Sequence, residues 1–140
     1  CNACPTQCLL MQNPRMAKNL KVVTDSEIRA LDERMLSWER RADEAQAKAA
    51  QAFGRLLHLA ETRDSGQARN IAQFIAATYD GSSFKFDLFE LRLMDVLISD
   101  DMLAALDGLR WGKADLFRLV PEGDKRVPAV IALWGLQPAS

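Results

Sequence analysis

Apolar and polar positions alternate along residues 25–60 with the spacing of a helix rather than a strand. One apolar set is Ile28, Met35, Ala42, Ala49 and Leu56; the other is Leu31, Trp38, Ala45, Ala52 and Leu59. Steps of three and four residues are the seam of a coiled coil. The segment opens on Thr24-Asp25-Ser26-Glu27. There a Thr hydroxyl can accept from the Glu27 amide while the Glu27 carboxylate reaches back, a reciprocal cap. The centre of the seam is all alanine, so a partner helix can approach to about 8 Å. Toward its end the stripe widens to take in Phe53, Leu57 and Ala60. A wide stripe enters a globular core and a narrow one meets a single helix. The rear half is therefore expected to dock on the chain's own domain. The front half is expected to engage a second copy or another helical protein through Ile28, Leu31, Met35, Trp38, Ala42, Ala45 and Ala49. Gly54 is the weak point of the helix.

Shorter elements follow. Asp64-Ser65-Gly66-Gln67 reads as a break and a new cap, Asp64 pairing with Gln67, before a face of Ala68, Ile71, Ala72, Ile75 and Tyr79. Gly81 stands where a left-handed terminal glycine belongs. Asp87 with Glu90 predicts a short helix, and Ser99 predicts the cap of another with Asp100 and Asp101 in its first turn. The latter would bury Met102, Leu103, Leu106 and Leu109. A turn of helix is expected near 114–119. After Pro121-Glu122-Gly123, Asp124 would open a last helix bearing Val127, Val130, Ile131 and Trp134, ended by Gly135. Pro128 falls in or just past its first turn. Phe84-Lys85-Phe86 is at most a short extended piece. The predicted fold is all-α: one long N-terminal amphipathic helix, then a compact bundle of about four shorter helices. Residues 1–23 read as a flexible tail, and 24–62 and 63–138 as one domain. Its core would include Phe74, Leu88, Leu91, Leu103, Leu106, Ile131 and Trp134.

Composition narrows the function classes. A chain of 140 residues, 49% hydrophobic, suits one domain and an appendage. Its net charge of −1 gives no global field toward nucleic acid or an anionic membrane. No apolar run reaches the roughly 20 residues that span a bilayer, and no signal-peptide pattern is visible. All three cysteines lie in the first eight residues, so the body uses no disulfide, as expected in a reducing cytoplasm. The chain opens on Cys1 rather than on methionine, which fits a processed form or a fragment; Met16 is a candidate start, since helical patterning begins after it.

Candidate chemistry is sparse. Cys1, Cys4 and Cys8 have metal-like spacing, but a closed zinc site wants a fourth ligand, and His58 is the one histidine. The simpler reading is an unstructured tail. His58 near a helix end reads as a surface residue favoured by the helix dipole. Asp87, Glu90, Asp95, Asp100 and Asp101 resemble a carboxylate cluster, yet four of them serve as caps or first-turn charges. Arg110, Lys113, Arg118, Lys125 and Arg126 with Trp111 form a candidate nucleic-acid surface, diluted by Asp107, Asp115, Glu122 and Asp124. Gly108, Gly112 and Gly123 fit no phosphate loop. With no nucleophile–base pair, an enzyme is the last reading, and no cofactor is implied.

Three stretches carry a resemblance: SGQARNIAQFIAATY, FDLFELRLMDVLISDDML, and LRWGKADLFRLVPEGDKRV with WGL after it. Over about residues 24–138 the chain resembles an uncharacterised domain of proteobacterial plasmids and integrative elements. The resemblance implies a mobile-element setting and brings no activity or catalytic residue. The expected function is a non-catalytic helical adaptor or regulator. It would be cytoplasmic and free of membrane, acting as a homodimer or on a helical protein partner. The alternatives are a nucleic-acid-associated accessory protein and an inhibitor of a host defence complex.

Overall fold

The long helix begins where the sequence predicts. The Glu27 amide donates to Thr24 Oγ1 at 3.3 Å and the Thr24 amide donates to Glu27 Oε2 at 2.9 Å. In the computed structural model, which describes residues 22–139, this cap opens α1, Asp25–Thr62. Among the described residues α1 is followed by α2 (Gly66–Tyr79), a 3₁₀ helix (Leu88–Leu93), α3 (Val96–Trp111), a second 3₁₀ helix (Leu116–Leu119) and α4 (Gly123–Leu133), with no strand. The all-α reading holds: a long helix is followed by shorter ones, three of them α-helices and two 3₁₀ turns.

Contacts divide the chain after Ser37. Of the first unit, residues 22–37 are described. They hold the cap and the front of α1, whose Ile28, Leu31, Met35 and Leu36 are all exposed.

The second unit starts at Trp38 and contains the core. Here α1 buries Ala42, Ala45, Ala49 and Ala52, then Phe53, Leu56, Leu57 and Ala60, so the stripe widens as its sequence predicts. α3 lies antiparallel on the alanine stretch. Arg55 meets Asp101, Gly108 meets Ala49, and Lys113 pairs with Asp43. α2 packs against α4, and the second 3₁₀ helix touches α2, α3 and α4. At the end of α1, Trp134 Nε1 donates to the Ala60 carbonyl at 2.8 Å. That carbonyl is one of the four a helix leaves without an internal partner.

Several local expectations are corrected. Ser65, not Asp64 with Gln67, caps α2, accepting from the Ala68 amide at 3.2 Å. Gln67 instead accepts from the Asp95 amide at 3.0 Å. Gly81 is not left-handed. Asp80 ends α2, and its carboxylate accepts from Ser82 and Ser83, which holds it below the ordinary carboxyl value. α3 starts a turn earlier than expected. Asp95 caps it at the Leu97 amide, while Ser99 Oγ donates back to the Val96 carbonyl. α4 starts at Gly123 without a side-chain cap, after Glu122 in the left-handed region at φ 55°. Pro128 thus lies inside α4.

The core differs correspondingly. Phe74 is buried, and Leu91, Leu106, Ile131 and Trp134 pack partly buried against the core. Leu88, Leu103 and Leu109 are exposed. Leu88 lies in a 3₁₀ turn, whose three-residue period rotates it away from the face an α-helix would give it. α3 turns Met102, Ala105 and Gly108 inward; Met102 enters the core, and Gly108, with no side chain, allows the close approach to Ala49 of α1.

Candidate functional site

The second unit carries an open groove of about 1010 Å³. Gly54, Ile71, Ile98 and Val120 line its apolar part. On one side Arg55 makes a two-point contact to Asp101, Nε to Oδ2 at 3.0 Å and Nη2 to Oδ1 at 2.8 Å. The hydrogen bond to Asp101 raises the guanidinium's pKa above its ordinary value, against a small opposing effect of burial. His58 and Arg63 also line the groove, as do Asp95 and Leu97. His58 is exposed on α1, and Ser65 in the same lining is the cap of α2.

Beside the groove, Arg126 grips Glu61 through Nη2 at 2.6 Å and Nε at 3.0 Å. The Arg126 hydrogen bond lowers the Glu61 carboxyl; burial opposes it, and the charges of Arg126 and His58 assist. A lowered folded pKa contributes stability that is complete above the unfolded value, near 4.5, and is lost as pH falls through the folded one. Glu61→Gln is expected to cost about 1 kcal/mol at neutral pH, and less as pH falls below the ordinary carboxyl range. Urea titrations of both proteins at neutral and acid pH check this; a pH-independent difference would assign the effect to packing.

The basic residues singled out in the sequence do not form a free patch. Arg110 pairs with Asp107 at 2.6 Å, Arg118 with Asp115 at 3.6 Å, Lys113 with Asp43, and Arg126 with Glu61. Lys125 is exposed on α4. Trp111, half-buried, has the guanidinium groups of Arg41 and Arg110 over its ring, 5.5 and 5.0 Å from the centroid. It therefore serves as an aromatic platform for the chain's own arginines.

The acids are also dispersed. Asp87 accepts from the Phe89 amide, Glu90 accepts from Asn70 Nδ2, and Asp95 and Asp101 are engaged as described. Among the described residues no three His, Cys, Asp or Glu side chains stand together as a metal site. The cysteine candidates Cys1, Cys4 and Cys8 lie outside the described residues.

The interaction seam divides. Ile28, Leu31, Met35 and Trp38 are 46–54% exposed. Ala42, Ala45 and Ala49 are buried, because α3 of the same chain already occupies the close approach that alanines permit. These three alanines are thus intramolecular contacts rather than a surface for a partner.

Sequence reasoning missed a second surface. Leu88, Phe89, Leu93, Val96 and Leu97 are each 69–75% exposed. Its one sequence signal was the density of carboxylates among these residues, which reads as capping on a helix-only interpretation.

Fold and sites together define an all-α module whose large unsatisfied features are apolar surfaces. A family described as a family of unknown function (DUF7673) matches residues 50–135, and the chain belongs to it. Neither a curated protein nor a solved structure matches the chain. The matched stretch begins well inside α1, leaves the seam at 28–38 outside, and includes the surface at 88–97. No helix among the described residues is long and apolar enough to cross a membrane.

Proposed function

We propose that the protein is a non-catalytic interaction module that pairs with a second copy of itself through the front of α1. It would act as an adaptor or regulator in the cytoplasm, in the plasmid and integrative-element setting of the domain it resembles. The observation that supports this is the exposure of Ile28, Leu31, Met35 and Trp38 at three-four spacing on one helix. Full burial of a large apolar side chain contributes roughly 1.5–3 kcal/mol, so four left half in water favour association. The rim is of mixed sign, with Asp32, Glu33 and Glu39 beside Arg29, Arg34 and Arg40. Such a rim can answer itself, for instance Arg34 to Glu39 between parallel copies.

Sedimentation equilibrium of wild type against the Leu31→Asp, Trp38→Asp double variant is the test. Wild type is expected to dimerise at tens of micromolar and the variant to remain monomeric with an unchanged melting temperature. A monomeric wild type at that concentration overturns the proposal. The nucleic-acid reading has less support, since four of its five basic residues are held by carboxylates.

A further inference from the structure

We infer that the surface built by residues 87–101 is a docking face for a basic amphipathic helix of another protein. This goes beyond self-pairing through α1 and does not rest on it. Its apolar side chains, Leu88, Phe89, Leu93, Val96 and Leu97, are all largely exposed. Their backbone is nonetheless fixed. Asp87 Oδ1 accepts from the Phe89 amide at 3.0 Å, Asp95 Oδ1 from the Leu97 amide at 2.9 Å, and the Asp95 amide donates to Gln67. Glu90 takes a 2.9 Å bond from Asn70, and Met94 is buried as the anchor between the exposed residues. A face held this way gives up little conformational entropy on binding.

Size and charge select the occupant. Five such side chains between Leu88 and Leu97 expose roughly 500–600 Å² of apolar surface together, a large part of one side of a standard interface. The groove continues the face: Asp95 and Leu97 line it, and its apolar part has room for a large anchoring side chain. Between Asp87 and Asp101 the sequence carries five carboxylates and one base, Arg92. Asp101 is answered by Arg55, which leaves Asp87, Glu90, Asp95 and Asp100 against Arg92 in the same stretch of chain as the apolar residues. A second copy on this face would set carboxylates against carboxylates. A helix with leucine-type anchors and flanking Lys or Arg matches both its apolar and its charged parts. Arg63 and His58 line the groove as well, so the basic side chains of the occupant face the α3 side.

The test is fluorescence anisotropy of the full chain with two labelled amphipathic peptides of about 18 residues, long enough for five helical turns. One is built of Leu and Lys, the other has Glu at every Lys position. Micromolar binding of the Lys peptide is expected, weakened by salt, with the Glu peptide at least about tenfold weaker. Phe89→Ser with Leu93→Ser should weaken the Lys peptide at least about tenfold at an unchanged melting temperature. Asp87→Asn with Asp100→Asn, which keeps the cap chemistry, should reduce the preference for Lys over Glu. The Leu31→Asp, Trp38→Asp variant should bind the Lys peptide as wild type does, which separates this face from the α1 seam. Equal binding of both peptides, binding of neither, or binding indifferent to Phe89 and Leu93 overturns the inference. So does loss of self-association in the Phe89, Leu93 variant, which would make a second copy the occupant.

Discussion

Phe53→Ala is expected to destabilise the protein by about 3–5 kcal/mol. Phe53 is 1% exposed in a core shared with Leu56, Leu57, Ile71, Met102 and Val127. It therefore stands among side chains from α1 itself, α2, α3 and α4. Truncation removes the transfer free energy of a benzyl group and leaves a void that several elements would have to move together to fill. A small domain has only about 5–15 kcal/mol of total stability, so the variant should melt far below wild type or be only partly folded. Urea unfolding followed by far-ultraviolet circular dichroism measures the loss. Leu103→Ala, at a site 55% exposed, is the control and should lie within about 0.5 kcal/mol of wild type. A Phe53→Ala cost below about 1 kcal/mol would show that this part of the core collapses readily, against the packing described above.

The parts of the fold legible in the sequence are those that local chemistry determines. The Thr24–Glu27 cap, the long helix and the widening of its buried stripe from Ala42 to Ala60 need only the three-four repeat and one capping box. Gly135 after α4 is left-handed, as its place beyond the last apolar residue suggested. Cap choice was less legible, because Asp64, Ser65, Asp95 and Ser99 are all competent caps. Which one serves depends on tertiary partners such as Gln67, which meets the Asp95 amide 28 residues away. The capping pair Asp87 and Glu90 predicts a short helix at Leu88–Leu93 without telling a 3₁₀ turn from an α-helix, since both periods accept the same six residues. Taken with the α period, it puts Leu88 in the core rather than at the surface and hides the exposed face beside it.

The interaction residues were half legible for a related reason. An alanine seam says that something approaches closely, not whether it comes from the same chain. Gly108 could have supplied that information, since a glycine in the interior of a predicted helix can mark a close crossing. Once α3 fills the alanines, the unpaired part of the repeat is the stretch from Ile28 to Trp38. The repeat itself is continuous across both uses.

Two glycines of the α1–α3 region should respond to the same substitution with opposite signs. In the interior of a helix Gly→Ala ordinarily stabilises by about 0.5–1 kcal/mol, through the unfolded chain's lost freedom and better propensity. At Gly54 a methyl group would meet Val120 Cγ1 at 3.7 Å, an ordinary contact. Gly54→Ala is therefore expected to stabilise by about that amount. At Gly108 the same methyl would fall on the Cβ of Ala49, nearer than two carbon atoms can stand, and 3.3 Å from the Ala45 carbonyl oxygen. The Ala49 methyl is fixed to its backbone and cannot swing aside, so α3 must move off α1. That separation would thin the packing of Met102 and Ala105, both buried, and strain the Arg55–Asp101 pair. Overpacking of this kind costs about 1–3 kcal/mol and exceeds the propensity gain. Gly108→Ala should accordingly lower stability by about 1–2 kcal/mol net. Thermal and urea unfolding of the two single variants and the wild type decide it. If both alanines stabilise, α3 does not approach α1 as closely as Gly108 and Ala49 require, and the alanine stretch returns as a surface open to a partner.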